Sequence, residues 1–202
     1  MGAYARLYLD VETYRPEKER AFVHERVIAI GALFRRQSAA RCSGHDVNYF
    51  LFTEWKYGSE FNLISEFYGW FIKLIQSEKI IVIGFNILRF DIPLLIQKGV
   101  EYGVGNIAEL NRLWHNTHTI DYQQAVLPYY DGFPRLEDLV EAASKAGIDV
   151  PKPYGSGKEV KVWYEKGEYD NIEKRLQTEL NALCVIDLNF KRIYGIHPLV
   201  TL

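Results

Sequence analysis

Residues 79–99 read Lys79-Ile-Ile-Val-Ile-Gly84-Phe-Asn86-Ile-Leu-Arg-Phe90-Asp91-Ile-Pro93-Leu-Leu-Ile-Gln-Lys-Gly99, and the fold class turns on them. Lys79 to Gly84 is a continuous apolar run, the mark of a strand covered on both faces. The residues after it read as a helix, with Pro93 tolerated in the first turn and Gly99 marking the end. A buried strand feeding a helix is the unit from which α/β sheets are built.

The flanking segments extend this pattern. Upstream, Ser59 is a good N-cap, and Phe61, Ile64, Phe67, Tyr68, Phe71, Leu74 and Ile75 recur at helical spacing. Before it, Tyr4–Tyr14, Val27–Phe34 and Val47–Thr53 read as three strands of an antiparallel meander, broken by a charged stretch from Arg15 to Arg26. Downstream come a helix over Ile107–Trp114, a short strand over Thr117–Asp121 and a helix over Arg135–Ala146 closed by Gly147. Val150–Lys158, with its Pro and Gly punctuation, reads as a loop, and Tyr169–Tyr194 as a long amphipathic helix. The expectation is an α/β fold with a mixed β-sheet flanked by helices, in one domain over residues 1–202.

Composition narrows the function classes. The chain has 202 residues and a formal charge of −2, which argues mildly against a sequence-reading DNA binder held by phosphate contacts. An acidic metal centre is compatible with that charge. No stretch is apolar enough to span a membrane, so no membrane partner is expected. The N-terminus does not read as a signal peptide. Cys42 and Cys184 lie far apart and form no disulfide framework, so a reducing, intracellular (cytoplasmic) setting is the default.

Carboxylates in apolar surroundings carry the chemistry. Asp10 and Glu12 lie two apart on a strand and point to one face. Buried acids cost free energy unless paired, hydrogen-bonded or bound to a cation, and Mg2+ or Mn2+ prefers such oxygen ligands. The plain alternative is a strand end at which both acids meet water. Asp91 opens a helix after a buried strand, where the helix dipole alone would favour an acid. Asp187 lies on the apolar side of the last helix, either in the same site or as partner to a buried arginine or a backbone amide. Acids from distant segments converging on rigid elements fit a two-metal phosphodiester-cleaving centre.

These residues resemble a known family. Asp10-Val-Glu12-Thr13 resembles the first exonuclease motif of the DEDD superfamily. Asn86-Ile-Leu-Arg-Phe90-Asp91-Ile-Pro93 resembles the second motif of the proofreading domains of family-B DNA polymerases, and Asp187 resembles the closing aspartate of the third. The resemblance implies an RNase H-like fold and a 3′–5′ exonuclease that releases nucleoside 5′-monophosphates from DNA, or from RNA. It implies two Mg2+ or Mn2+ ions held by Asp10, Glu12, Asp91 and Asp187. It places Thr13, Asn86 and Phe90 along the substrate, although Phe90 is equally a core residue. The implied partner is a nucleic acid with a 3′ end, single-stranded DNA first. No polymerase segments follow, so a stand-alone relative is expected.

One departure concerns the third motif. The family carries a Tyr four residues, or a His five residues, before the last Asp, whereas Leu183 and Ala182 stand there. Leucine can neither orient nor deprotonate a water. Either the enzyme is slow, or Tyr164, Tyr169 or Glu179 substitutes, or the chain is a non-catalytic nucleic-acid-binding scaffold that kept the fold. Gly155-Ser-Gly-Lys158 lacks the spacing of a phosphate loop. His115 and His118 fit a zinc pair poorly, because Thr117 and Thr119 argue for a strand there. Asp121 reads as structural, and Trp55, Tyr57 and Trp163 read as core in preference to base-stacking platforms.

Overall fold

The computed structural model describes residues 4–16, 22 and 24–195, so part of the charged connection expected over residues 15–26 lies outside the described residues. The chain runs β1 (Ala5–Tyr14), β2 (Arg26–Arg35), β3 (Val47–Thr53), α1 (Glu54–Tyr57), α2 (Glu60–Ser77), β4 (Ile80–Gly84), α3 (Asp91–Glu101), α4 (Ile107–His115), β5 (His118–Asp121), α5 (Tyr122–Val126), a 3-10 turn (Leu127–Tyr129), α6 (Leu136–Lys145), α7 (Gly157–Lys166) and α8 (Tyr169–Tyr194). The sheet order is β3-β2-β1-β4-β5. The first three strands pair antiparallel, while β4 joins β1 and β5 joins β4 in parallel. This is the mixed, helix-flanked α/β sheet expected.

Strand alternation divides the core in two. Leu7, Leu9 and Val11 face one side and pack with Leu63, Phe67 and Phe71 of α2 and Leu94 and Leu95 of α3. Tyr8 faces the other side, among Leu139 and Val140 of α6 and Leu183 and Ile186 of α8. Asp10 and Glu12, in step with Tyr8, therefore share the face against which α8 lies. β4 is buried along its whole length, as its sequence requires.

Gly31, the β2 partner of Asp10, lets α8 approach the sheet. A Cβ at Gly31 would meet Leu180 Cδ1 at 2.9 Å and Leu176 Cβ at 3.3 Å. Gly99 has a similar role and does not end its helix. It lies inside α3, where a Cβ would stand 2.6 Å from Leu110 Cδ1. The helix α7 was not expected. Only Val160 and Trp163 are buried along it, too few to reveal a period.

The cysteines also correct the sequence expectation. Cys42, in the connection after β2, is disulfide-bonded to Cys184 on α8, at a sequence separation of 142 and with Cα atoms 5.9 Å apart. Only the packing of α8 on the sheet brings them together, so spacing in sequence carried no sign of the pair. The bond runs against the default of a reducing compartment. Among the described residues no helix is long and apolar enough to cross a membrane.

A cross-link closing so long a loop restricts the unfolded chain by about 5 kcal/mol on a chain-entropy account. Reduction with dithiothreitol, followed by calorimetry, is expected to lower Tm by on the order of 10 °C. An unchanged Tm would show that the bond contributes nothing to stability.

Candidate metal centre

Glu179, between the two α8 leucines that touch Gly31, Leu176 and Leu180, meets Asp10 and Glu12 on β1. One carboxylate oxygen from each of the three lies within 4.8 Å of the others. Glu12 and Glu179 are buried, and Asp10 keeps part of its surface on the cleft while its Oδ2 is enclosed without a hydrogen-bond partner. Asp91 stands behind them at the start of α3, where its Oδ1 accepts the Val11 N–H at 3.0 Å. A register shift between Glu12 and Thr13 marks a bulge where β1 leaves the site.

The sequence expectations divide at this point. Asp10, Glu12 and Asp91 are brought together. The expectation that all four named acids converge is not met, because Asp187 lies elsewhere. Its Oδ2 accepts from Tyr8 Oη at 2.7 Å and its Oδ1 from Tyr122 Oη at 2.5 Å. Arg6 Nε lies 2.8 Å from Oδ2, although its N–H is not aimed at that oxygen, and Arg35 Nη2 lies at 4.0 Å. Eight helical residues separate Glu179 from Asp187, about 12 Å along the axis. One ion cannot touch both. Asp187 is satisfied by two tyrosine hydroxyls, with the partly buried Arg6 and the buried Arg35 beside it, so of the alternatives its apolar surroundings left open the arginine one is the nearest.

Asn86 lines the cleft in a left-handed conformation, φ 60°, held by Asp121, whose carboxylate accepts from the Asn86 and Leu88 N–H groups. Thr13 and Phe90 are not among the cleft-lining residues. Thr13 Oγ1 donates to Glu25, and Phe90 is half-buried against the ring of Phe22. Tyr164 donates to Glu54 and Tyr169 stacks on Trp55, so neither substitutes for a missing base. Trp163 is buried, and Leu183 lines the cleft wall.

Four residues before Glu179 on α8 stands Arg175. Its Nε lies 2.6 Å from Glu12 Oε1, and its Nη2 lies 2.6 Å from Glu179 Oε1. Sequence reasoning passed over this residue, although its spacing of four from Glu179 was visible.

The cleft encloses about 300 Å³ between the carboxylates, Gln123 and the Pro134–Glu137 wall. Burial raises all four carboxyls. Glu12 is pushed up to about 7 by burial and by the Asp10 charge, with Arg175 opposing. Asp91 and Glu179 are raised by burial and then by Asp10, and Asp10 itself by burial. Hard oxygen donors, an enclosed unpartnered Asp10 oxygen and acids that resist ionising together fit a divalent cation. Arg175 already occupies one oxygen each of Glu12 and Glu179.

No family model matches the chain, and no curated protein does. Solved structures do. The family B DNA polymerase from the hyperthermophilic archaeon Pyrobaculum calidifontis superposes with a TM-score of 0.65 at 14% identity, over 94% of this chain and 25% of that one. A structure of exonuclease I gives a TM-score of 0.52 at 14% identity, over 95% and 42%. The zinc-bound E. coli exonuclease I–ssDNA complex gives 0.51 at 15%, over 95% and 41%. The chain thus spans between a quarter and less than half the length of these proteins.

Raised carboxyls bear on stability. Unfolded, these groups titrate near ordinary values. Folded and cation-free, they hold protons to higher pH, so between the two values the native state binds more protons and loses stability as pH rises. In EDTA, Tm is expected to fall between about pH 5 and about pH 8 as Glu12 and its neighbours ionise, and Mn2+ is expected to abolish the fall. A Tm that rises over this window, or that ignores Mn2+, would contradict the site. At this level of identity the shared property is architecture, and the chain has the mixed α/β exonuclease (RNase H-like) fold.

Proposed function

We propose that this chain is a divalent-cation-dependent 3′–5′ exonuclease that hydrolyses the terminal phosphodiester of DNA and releases nucleoside 5′-monophosphates. One observation carries the reading: Asp10, Glu12 and Glu179 gather their oxygens within 4.8 Å at one cleft of an exonuclease fold. A scaffold gains nothing from clustered, buried acids that repel one another without a cation.

Asp10, Glu12, Asp91 and Glu179 would hold the cation, Mg2+ or Mn2+ by the hardness of the donors. When bound, the cation supplies charge neutralisation at the phosphate and an acidified water at neutral pH. The chain's own groups provide the rest. Asn86 and Arg135 line the cleft and offer donors to a strand end. Phe133, 73% exposed beside that wall with Arg89 over its ring at 5.6 Å, offers a face on which a base stacks. The exonuclease I complexes contain single-stranded DNA, which supports the same substrate class here. The region described would act as one exonuclease unit.

A second reading has its own support. Arg175 ties up Glu12 and Glu179, and a chain whose carboxylates were fully satisfied in this way would bind nucleic acid without cutting it.

The test is a 5′-labelled oligonucleotide with a 3′ overhang, incubated with Mg2+, Mn2+ or EDTA. A metal-dependent ladder is expected, reduced by about 10²-fold or more in Glu179→Gln, the scale of losing one electrostatic contact at a reacting centre. Asp187→Asn is expected to lower Tm while leaving cleavage by the folded protein unchanged. Binding without shortening under either metal would establish the scaffold. Loss of cleavage in folded Asp187→Asn would return that residue to the site.

A further inference from the structure

We propose that Arg175 is a built-in cation of the carboxylate centre, so that the centre takes one divalent ion where two-ion chemistry needs two. The proposal rests on the metal-dependent reading of the same cleft.

The arginine is gripped on every side. Nε meets Glu12 Oε1 and Nη2 meets Glu179 Oε1, both at 2.6 Å, while Nη1 donates to the carbonyls of Tyr154 and Gly155 at 3.4 Å. All three nitrogens are engaged, and the side chain is 11% exposed. The carbonyls it meets are themselves fixed. The Tyr154 N–H donates to Thr178 Oγ1 at 2.9 Å, its hydroxyl to Asn171 Oδ1 at 3.2 Å, and Lys174 Nζ lies 4.1 Å from its ring centre. Gly155, at φ 62°, leaves no room for a side chain against Trp163. Arg175 is therefore part of the walls of the site and not a swinging surface group.

Charge and space then set the ion count. Asp10, Glu12, Asp91 and Glu179 can carry at most four negative charges between them, and Arg175 already bridges an oxygen of Glu12 to one of Glu179. One guanidinium and one divalent ion leave the centre slightly negative. A second divalent ion would reverse the sign and stand against the guanidinium at oxygens already bridged. Among the described residues, Asp10 Oδ2 is the oxygen of this cluster that is fully enclosed without a hydrogen-bond partner, and the single ion would sit against it. Arginine stays protonated throughout and has no acceptor, so Arg175 supplies charge and cannot act as a base.

The experiment counts Mn2+ on the metal-stripped full chain, without nucleic acid, by isothermal titration calorimetry and electron paramagnetic resonance. The wild type is expected to bind one Mn2+ per chain with the spectrum of an isolated ion. Arg175→Gln, checked for folding by circular dichroism, is expected to bind two, with the signal broadened by coupling between them. Two ions in the wild type would overturn the proposal even if the variant failed to fold. A folded Arg175→Gln that still bound one ion would also overturn it. No binding in either form would remove the metal reading itself, an outcome distinct from a count of two.

Discussion

Acids gathered in a space that water barely reaches must be neutralised, and this constraint governs the molecule. Asp10, Glu12, Asp91 and Glu179 come from β1, α3 and α8, three elements that share no local sequence. Each carboxyl is raised by burial, and most are raised further by Asp10. Such a cluster persists only where the surrounding fold holds it and a positive charge answers it. The two-sided core supplies the hold. Leu7, Leu9 and Val11 lock β1 to α2 and α3, and Gly31 lets α8 settle close enough to deliver Glu179 and Arg175.

The second polar network, around Asp187, explains why α8 stays in register. Tyr8 and Tyr122 donate to its two oxygens, and Arg6 and Arg35 surround it. Tyr8 and Asp10 are neighbours on one face of β1, while Glu179 and Asp187 lie about two turns apart on one face of α8. Sliding the helix by a turn would strand both sets of charges at once. Burial of charges that are paired in only one arrangement favours that arrangement over its competitors. The disulfide from Cys42 to Cys184 ties the same helix to the connection after β2.

Much of this was legible in the sequence, for physical reasons. The continuous apolar run of β4 and the period-two strands give the sheet, and the helical spacing in α2 and α8 gives its covering layers. Asp10 and Glu12 were legible because acids in an apolar strand are costly. What failed were matters of register between distant elements. Glu179 and Asp187 lie on the same side of one helix and both meet β1, Asp187 at Tyr8 and Arg6 and Glu179 at Asp10 and Glu12, so the register of α8 on the sheet, close-packed at Gly31, decides which of them reaches the acids. A glycine amid the β-branched residues of β2 was the available sign of that approach. Arg175 was hidden because an arginine on a helix is ordinarily a solvated surface charge. The cysteine pair was hidden because the chain between them says nothing of their distance.

The account stands on a divalent cation held by β1 and α8 at Asp10 and not at Asp187. Anomalous diffraction from crystals grown with Mn2+ addresses this directly. The account predicts an anomalous peak in contact with the Asp10 carboxylate, beside an arginine still bridging Glu12 and Glu179. A peak at Asp187, or none at all under saturating Mn2+, would contradict it.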